Sequence, residues 1–334
     1  MGVSRRRLLV FGGALAAVPL LAFPQPERGI RRIGLVQFRG GLMNQDMPGG
    51  IAFLAAMKAL GYREGRDFVL EERLWEPHRQ ADAATAVREL VRLKADVIIA
   101  ASPPSIVAAQ AETTQVPIVM MYSAEPVAMG LVSSLNKPGG NLTGLAWDHG
   151  FETNLKALEL LKQALPALQR VALLWDASDS AHPIYAQHFA KAAPQIGLTL
   201  ISVDLKQAAD IEPAFGRMRG AKAEALVVLP SGQITIPNRK AIMALASKDK
   251  VPTLVAIVDE RDYPGALLRY GPNLARMPRR AAAYVDRILK GAKPADLPIE
   301  QPDKYDLVID RGVARQLGIK FSRALLVQAD KVIE

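Results

Sequence analysis

Four segments from the first half of the chain return, in the same order, in the second. "AKAEALVVLPS" from Ala221 resembles "LKADVIIAASP" from Leu93, and "KVPTLVAIVDE" from Lys250 resembles "QVPIVMMYSAE" from Gln115. The apolar run from Arg170 to Trp175 matches the one at Arg32, and Leu198 to Val203 matches the run that begins at Phe68. Lys94 and Lys222 are 128 residues apart, and Val116 and Val251 are 135 apart. Ordered matches at similar offsets imply two lobes of like topology.

Each lobe alternates short β-branched runs with longer amphipathic ones. In the first, Arg32 to Val36, Phe68 to Leu74, Asp96 to Ala100 and Pro117 to Met121 read as strands. Asp46 to Leu60 and Ala81 to Leu93 read as helices, and Pro103 opens a third, at a position where proline is tolerated. Strand–helix alternation of this kind predicts an α/β protein with parallel sheets, two Rossmann-like lobes in all.

"NKPGGNLTG", from Asn136 to Gly144, lies between the two sets. Proline biases the residue before it toward extended backbone, and glycine allows angles that other residues resist. The segment therefore reads as a crossover between lobes. No G-x-x-x-x-G-K-[ST] or G-x-G-x-x-G spacing makes it a phosphate loop. After the repeat come a strand, a turn at Gly271-Pro272-Asn273, a helix closed by Gly291, an extended proline-rich return and a strand over Lys304 to Ile309. The chain thus visits each lobe once more. The expected division is 28–143 plus 264–296 for lobe 1, and 144–263 plus 297–334 for lobe 2.

Residues 1–27 are set apart from the fold. "SRRRLLVFGGALAAVPLLAFPQ" has a positive start and a short, interrupted apolar run, the plan of an export signal. Ser4 to Leu9 also resembles a twin-arginine export motif, so the expected route is Tat-like or Sec and the expected location periplasmic. With no cysteine, the chain has no disulfide, thiolate metal site, cysteine nucleophile or cysteine-borne lipid anchor. Three of the nine net positive charges are Arg5, Arg6 and Arg7, and the rest are interspersed with acids. That pattern reads as a mixed surface and not as a nucleic-acid stripe.

In open α/β sheets, ligands collect at the carboxyl ends of the strands, where helix N-termini offer free N–H groups. Two facing sheets would enclose a cleft there. The first lobe brings Gln37, Phe38 and Arg39, then Ser102 and Ser105, then Ser123 and Glu125. The second brings Trp175, Asp176 and Ser178, then Ser231, Gln233 and Thr235, then Asp259 and Glu260. Trp147 and Asp148 follow the crossover, and Tyr270 ends the strand before the last long helix. Hydroxyls, amides, carboxylates and aromatics suit a polar or zwitterionic small molecule. Each residue has an ordinary reading as well: serines and Thr235 as helix caps, Trp175 as core, Asp176, Asp259 and Arg39 as solvated groups.

No G-x-S-x-G elbow and no H-E-x-x-H is present. On one helix His182 and His188 would point about 240° apart, poor geometry for a metal. The four histidines are expected at the surface, and no catalytic residue, metal or cofactor is assigned.

"GYREGRDF", "LNKPGGNLTG", "YGPN", "RILKGAKPADLPIEQPDKYDLVID", the Leu317-Gly318 pair and the ending "ADKVIE" resemble the tryptophan/tyrosine-type ABC-transporter substrate-binding proteins. The resemblance covers nearly the whole chain. It implies a type I periplasmic-binding (Venus-flytrap) fold with three crossover segments, closing on its ligand by a hinge. It also implies delivery to a membrane permease driven by a separate ATPase. This chain has Glu125-Pro126 where the family often has Asp-Pro. It has Pro230 to Gln233 where members that bind aromatic amino acids tend toward a Thr-Asp-Asn-like run, and both departures argue against an aromatic amino-acid ligand. The expected protein is a monomeric, exported solute-binding protein of an ABC importer, taking a small polar or amino-acid-like ligand. The rival readings are a periplasmic sensor that presents its ligand state to a membrane receptor, and a periplasmic enzyme using cleft carboxylates.

Overall fold

A computed structural model describes residues 29–41, 43–44, 46–76, 79, 81–123, 125–147, 150–259 and 263–334. The segment expected to be an export signal, and His78, Asp148, His149 and Glu260, lie outside the described residues. The first sheet takes β1 (Arg31–Phe38), β2 (Phe68–Trp75), β3 (Val97–Ala100), β4 (Ile118–Ser123) and β5 (Leu142–Ala146). Helices α1 (Pro48–Ala59), α2 (Asp82–Arg92) and α3 (Pro103–Glu112) connect its first four strands. All its pairings are parallel, in the order β2-β1-β3-β4-β5.

The second half opens with α4 (Phe151–Ala164), then β6 (Arg170–Asp176), α5 (His182–Gln195), β7 (Thr199–Leu205), α6 (Ile211–Gly220), β8 (Ala225–Val228), α7 (Arg239–Lys248) and β9 (Thr253–Val255). It continues through β10 (Leu268–Pro272), α8 (Met277–Leu289), β11 (Tyr305–Asp310), α9 (Arg311–Gln316), α10 (Arg323–Gln328) and β12 (Lys331–Ile333). The second sheet runs β12-β11-β10-β9-β8-β6-β7. Its β11 is antiparallel to β10, so this sheet is mixed, whereas the sequence pattern pointed to parallel strands alone.

The repeat is visible in single interactions. Before β3, Asp96 accepts from the Arg32 amide at 2.8 Å and from the Arg31 guanidinium at 2.8 Å. Before β8, Glu224 accepts from the Gln169 and Arg170 amides at 2.7 and 3.1 Å and from the Arg170 guanidinium at 2.6 Å. The Gln169 amide, then the Arg170 amide and its charge, hold the Glu224 carboxyl below the usual carboxylate range. Lys94 and Lys222, two residues upstream of these acids, both take left-handed backbone, at φ 57° and 56°. In each lobe the turn from helix to central strand uses the same backbone conformation, although neither lobe has glycine there.

Two boundaries differ from the sequence reading. Asn136 to Asn141 is a loop of the first lobe. Asn141 Nδ2 donates to the Thr113 and Val116 carbonyls at 2.9 and 2.8 Å, which steers the chain into β5 beside β4. The crossing itself follows Ala146. The expected assignment of 264–296 to the first lobe also fails at β10, which pairs with β9 and β11 of the second sheet. Only the segment after Pro272 returns, and α8 packs on α1 and on β3, β4 and β5. A strand's apolar pattern shows that it is buried but not which ladder receives it.

The crossings therefore lie after Ala146, after Pro272 and between Leu297 and Lys304. The third runs beside the end of β5, where the first begins: the Glu300 amide donates to the Gly144 carbonyl at 3.0 Å, and the Ala146 amide to the Glu300 carbonyl at 2.9 Å. Among the described residues no helix is long and apolar enough to cross a membrane.

Left-handed backbone costs an L-residue about 1–2 kcal/mol. Replacing Lys94 or Lys222 by glycine should therefore stabilise the protein by about 0.5 kcal/mol after glycine's own entropy cost. Lys222→Ile should destabilise it by about 1 kcal/mol. Urea denaturation midpoints measure both, and a destabilising Lys222→Gly would contradict this account.

Candidate functional site

A cavity of about 60 Å³ lies where the carboxyl ends of the two sheets meet. The first lobe supplies Phe38 from β1, Ala101, Ser102 and Pro103 from the β3–α3 junction, and Tyr122 from β4. The second supplies Asp179, Ala181 and His182 after β6, then Pro230, Gly232, Gln233 and Ile236 after β8, then Ile257 after β9. Trp147 and Leu274 come from the crossings.

On the first-lobe side the wall is braced from behind. Ser102 caps α3, its Oγ accepting from the Ser105 amide. The Ser102 and Ser105 hydroxyls lie 2.8 Å apart, and Trp75 Nε1 donates to Ser105 Oγ at 3.0 Å. The Trp75 ring in turn meets Phe38 edge to face at 6.0 Å. Tyr122 owes its place to an irregularity: the β4–β5 register shifts between Met120 and Ser123, and Tyr122 has φ 58°. Bulges of this kind re-aim a side chain, here into the cleft.

On the second-lobe side the polar groups are held by backbone. His182 Nδ1 accepts from the Asp176 amide at 3.0 Å, which leaves the proton on Nε2, 3.3 Å from the Pro230 carbonyl. Asp176 Oδ1 accepts from the Ser178 amide and hydroxyl at 2.8 and 2.5 Å. Asp179 Oδ1 accepts from the Ala181 amide at 2.9 Å. Burial pushes the Asp179 carboxyl above its ordinary range; nearby His182 and the Ala181 amide oppose the shift, and Asp176 adds to it. Around the cleft, Gln37 Nε2, Asp176 Oδ2 and Gln233 Oε1 are buried with no hydrogen-bond partner among the described residues.

The lobes touch across the cleft. A Cβ on Gly232 would overlap the Phe38 ring, so only glycine allows that approach. Glu125, at φ 41°, lies 3.9 Å from His188 Nδ1 on α5 and packs against Gly150.

Of the residues expected at the site, Phe38, Ser102, Trp147 and Gln233 line this cavity, and Tyr270 lines a second one behind it. Ser105 stands behind Ser102. Gln37 is buried and its Oε1 accepts from the Met43 amide, shaping the loop after β1. Ser123 is buried, and its carbonyl accepts from the Trp147 amide at 2.9 Å. Asp176 and Ser178 lie behind His182, and Asp259 is buried without lining either cavity. Ser231 and Thr235 close a tight turn, with Ser231 Oγ accepting from the Ile234 and Thr235 amides at 3.1 Å. They do not start a helix, because α7 begins only at Arg239. Arg39 is exposed and pairs with Glu76 at 2.7 Å. Trp175 turns along the sheet, its Nε1 donating to Ser202 Oγ on β7 at 2.9 Å.

Sequence reasoning missed Tyr122, Asp179, His182, Ile236, Ile257 and Leu274. The expectation of surface histidines is wrong for His182, which is buried, because two backbone partners satisfy its ring. A signal existed for Asp179 and His182, since both follow β6 on a loop already expected to face the cleft. Tyr122 had none, because a bulge leaves no mark in an apolar run. Among the described residues no group of three or more histidines and carboxylates could hold a metal ion.

A family model described as ABC transporter substrate binding protein matches residues 45–333. A curated protein, the "Tyrosine-binding protein" of Clostridioides difficile (strain R20291), is 24% identical over 271 residues, 80% of this chain and 76% of the relative. Among solved structures, a conserved domain protein from Vibrio cholerae O1 biovar El Tor superposes with a TM-score of 0.82 at 24% identity, covering 90% of this chain and 99% of that one. An ABC domain in complex with L-Trp from Streptococcus pneumoniae also gives 0.82, at 23% identity, covering 91% of this chain and 100% of that one. These likenesses establish the fold, two packed α/β lobes.

Two outcomes follow. Gly232→Ala should wedge the lobes apart and enlarge the radius of gyration measured by small-angle scattering; an unchanged profile would mean the Phe38 ring simply yields. Because the folded-state pKa of Asp179 is raised, its buried charge destabilises the fold at neutral pH. Asp179→Asn should therefore raise the melting temperature at neutral and alkaline pH. The gain should shrink as pH falls through the raised folded value and vanish below the ordinary carboxylate range, about 3.9. A gain that persists in acid would point to a cause other than the charge.

Proposed function

Because the chain belongs to the ABC transporter substrate-binding protein family, we propose that it captures one small solute between its lobes and hands it to an importer. The observation that carries this reading is the cavity itself: walls from both lobes, at the strand ends, with the third crossing held beside the start of the first to serve as hinge. Lobes joined this way swing open and close by small backbone changes in the connecting segments. Phe38 seated on Gly232 is the contact that closure would make.

The lining suggests the ligand's chemistry. Phe38, Tyr122, Trp147, Pro103, Pro230, Ile236, Ile257 and Leu274 suit an aromatic or apolar body. Ser102, Gln233 and Asp179 offer few polar contacts, as expected of a site that orients more than it solvates. Ser102 and the α3 N-terminus would take a carboxylate, and Asp179 an amino group. We therefore favour an aromatic or large apolar amino acid, a narrower choice than the polar or amino-acid-like solute expected from the strand-end residues and the reverse of what the Glu125-Pro126 and Pro230 to Gln233 departures suggested. The relatives named for tyrosine and bound to L-Trp agree with that choice. Binding is preferred to catalysis because both ring nitrogens of His182, the one histidine in the cavity wall among the described residues, are engaged by backbone groups. Export to the periplasm, action as a monomer, and a permease with its ATPase as partners complete the proposal.

Calorimetry with a panel of amino acids, organic acids and aromatic solutes tests it. We expect micromolar or tighter binding of at least one aromatic amino acid. Phe38→Ala should weaken that binding by about 10- to 100-fold, the equivalent of one lost buried aromatic contact. Affinity for an amino-bearing ligand should fall as pH drops through the raised Asp179 value, because only the carboxylate pairs with an ammonium. A panel with no binder, or a ligand consumed instead of recovered, would overturn the proposal.

A further inference from the structure

Behind the first cavity lies a second, of about 30 Å³, inside the second lobe between α4 and the ends of β8, β9 and β10. Its walls include Thr153, Asn154 and Ala157 of α4, with Leu229, Ala256 and Tyr270. Trp147, His182 and Pro230 line both cavities and so form the partition between them.

The three are not held alike. His182 and Pro230 are locked together and to β6 through the two bonds of the imidazole, so they belong to the rigid frame of the second lobe. Trp147 sits on the first crossing, is half-buried, and is fixed by a single side-chain hydrogen bond, Nε1 to Tyr185 Oη at 2.5 Å, with the rings edge to face at 6.4 Å. It is the one large, displaceable side chain of the partition. We propose that Trp147 is a specificity-determining residue: its indole closes the rear compartment and so sets the greatest length of ligand body that the front cavity accepts. The ligand class is the one proposed above, and the inference rests on that reading. The rear walls are chiefly apolar, so the body excluded is a second ring or long alkyl group extending an amino acid, and not a charged extension.

The test uses the full chain with L-tyrosine, L-tryptophan and 4-benzoyl-L-phenylalanine, an aromatic amino acid lengthened by one ring. The wild type should bind one of the shorter amino acids at least tenfold more tightly than the lengthened one. Trp147→Ala should weaken the short ligand severalfold and tighten the lengthened one tenfold or more. Tyr185→Phe, which frees the indole without removing it, should move the preference the same way by a smaller factor, and guards against a Trp147→Ala protein that does not fold. A crystal structure of ligand-free Trp147→Ala should show one continuous cavity. Equal loss for both ligand lengths, or a rear compartment still walled off by His182 and Pro230, would overturn the assignment. If the wild type binds none of the three while the variant's cavities merge, the ligand class is wrong and the partition stands.

Discussion

Two backbone hydrogen bonds, joining Glu300 to Gly144 and Ala146, tie the third crossing of the chain to the end of β5, where the first begins. The cleft depends on them because they fix where one sheet ends relative to the other. Gly144 is also the residue that lets β5 lie close against β4. At φ 129° it lies so close to Met120 that any Cβ would overlap that residue's carbonyl oxygen and amide nitrogen. Side chains reinforce the seam from the first lobe. Arg280 of α8 pairs with the Glu300 carboxylate, and the Tyr284 hydroxyl donates to the Pro298 carbonyl. Desolvation of the buried ring, with the Glu300 charge beside it, raises the Tyr284 hydroxyl far above its ordinary range, so it stays a proton donor. From the second lobe, Asp306 receives Asn273 of the second crossing at 2.8 Å. The third crossing is thus anchored to the first lobe at one end and to the second at the other.

Given that seam, the site follows from ordinary α/β geometry. Parallel strands deliver every loop of one lobe to the same edge, and the two edges face each other. The wall residues need not be close in sequence: Phe38 meets Gly232, and Glu125 meets His188. What distinguishes the walls is their support. The first-lobe wall rests on side chains, the Ser102–Ser105–Trp75–Phe38 chain, while the second-lobe polar groups rest on backbone amides and carbonyls. Buried polar groups satisfied in this way hold their orientation without a ligand. Such a surface loses little freedom on binding.

How much of this could be read from the residues varies by level. The duplication was legible because strands and helices write their periods locally, and the Lys94/Lys222 and Asp96/Glu224 pairs keep the same backbone roles in both copies. The strand-end rule picked out loops that line the cavity but not always the side chains that face it. Phe38, Ser102, Trp147 and Gln233 were found because each ends a strand or follows a crossing and carries a side chain that reaches the cleft. Arg39 and Trp175 come from equally suitable positions and turn away, Arg39 from the turn after β1 to Glu76 and Trp175 to Ser202 on the neighbouring strand β7. Tyr122 was hidden for the converse reason: a bulge reverses the direction its place in β4 would give.

The amino-acid order alone determined that there are two α/β units, that each alternates strand and helix, and that the loops after the strands gather at one edge of each. Those properties come from hydrophobic period and turn chemistry, which act over a few residues. Only the tertiary structure decided that β10 joins the second ladder, that the crossing follows Ala146 and not Asn136, and that His182 is buried in the wall. Those outcomes depend on partners distant in sequence, His182 meeting Pro230 across 48 residues and Glu300 meeting Gly144 across 156. No local pattern encodes a partner at that distance.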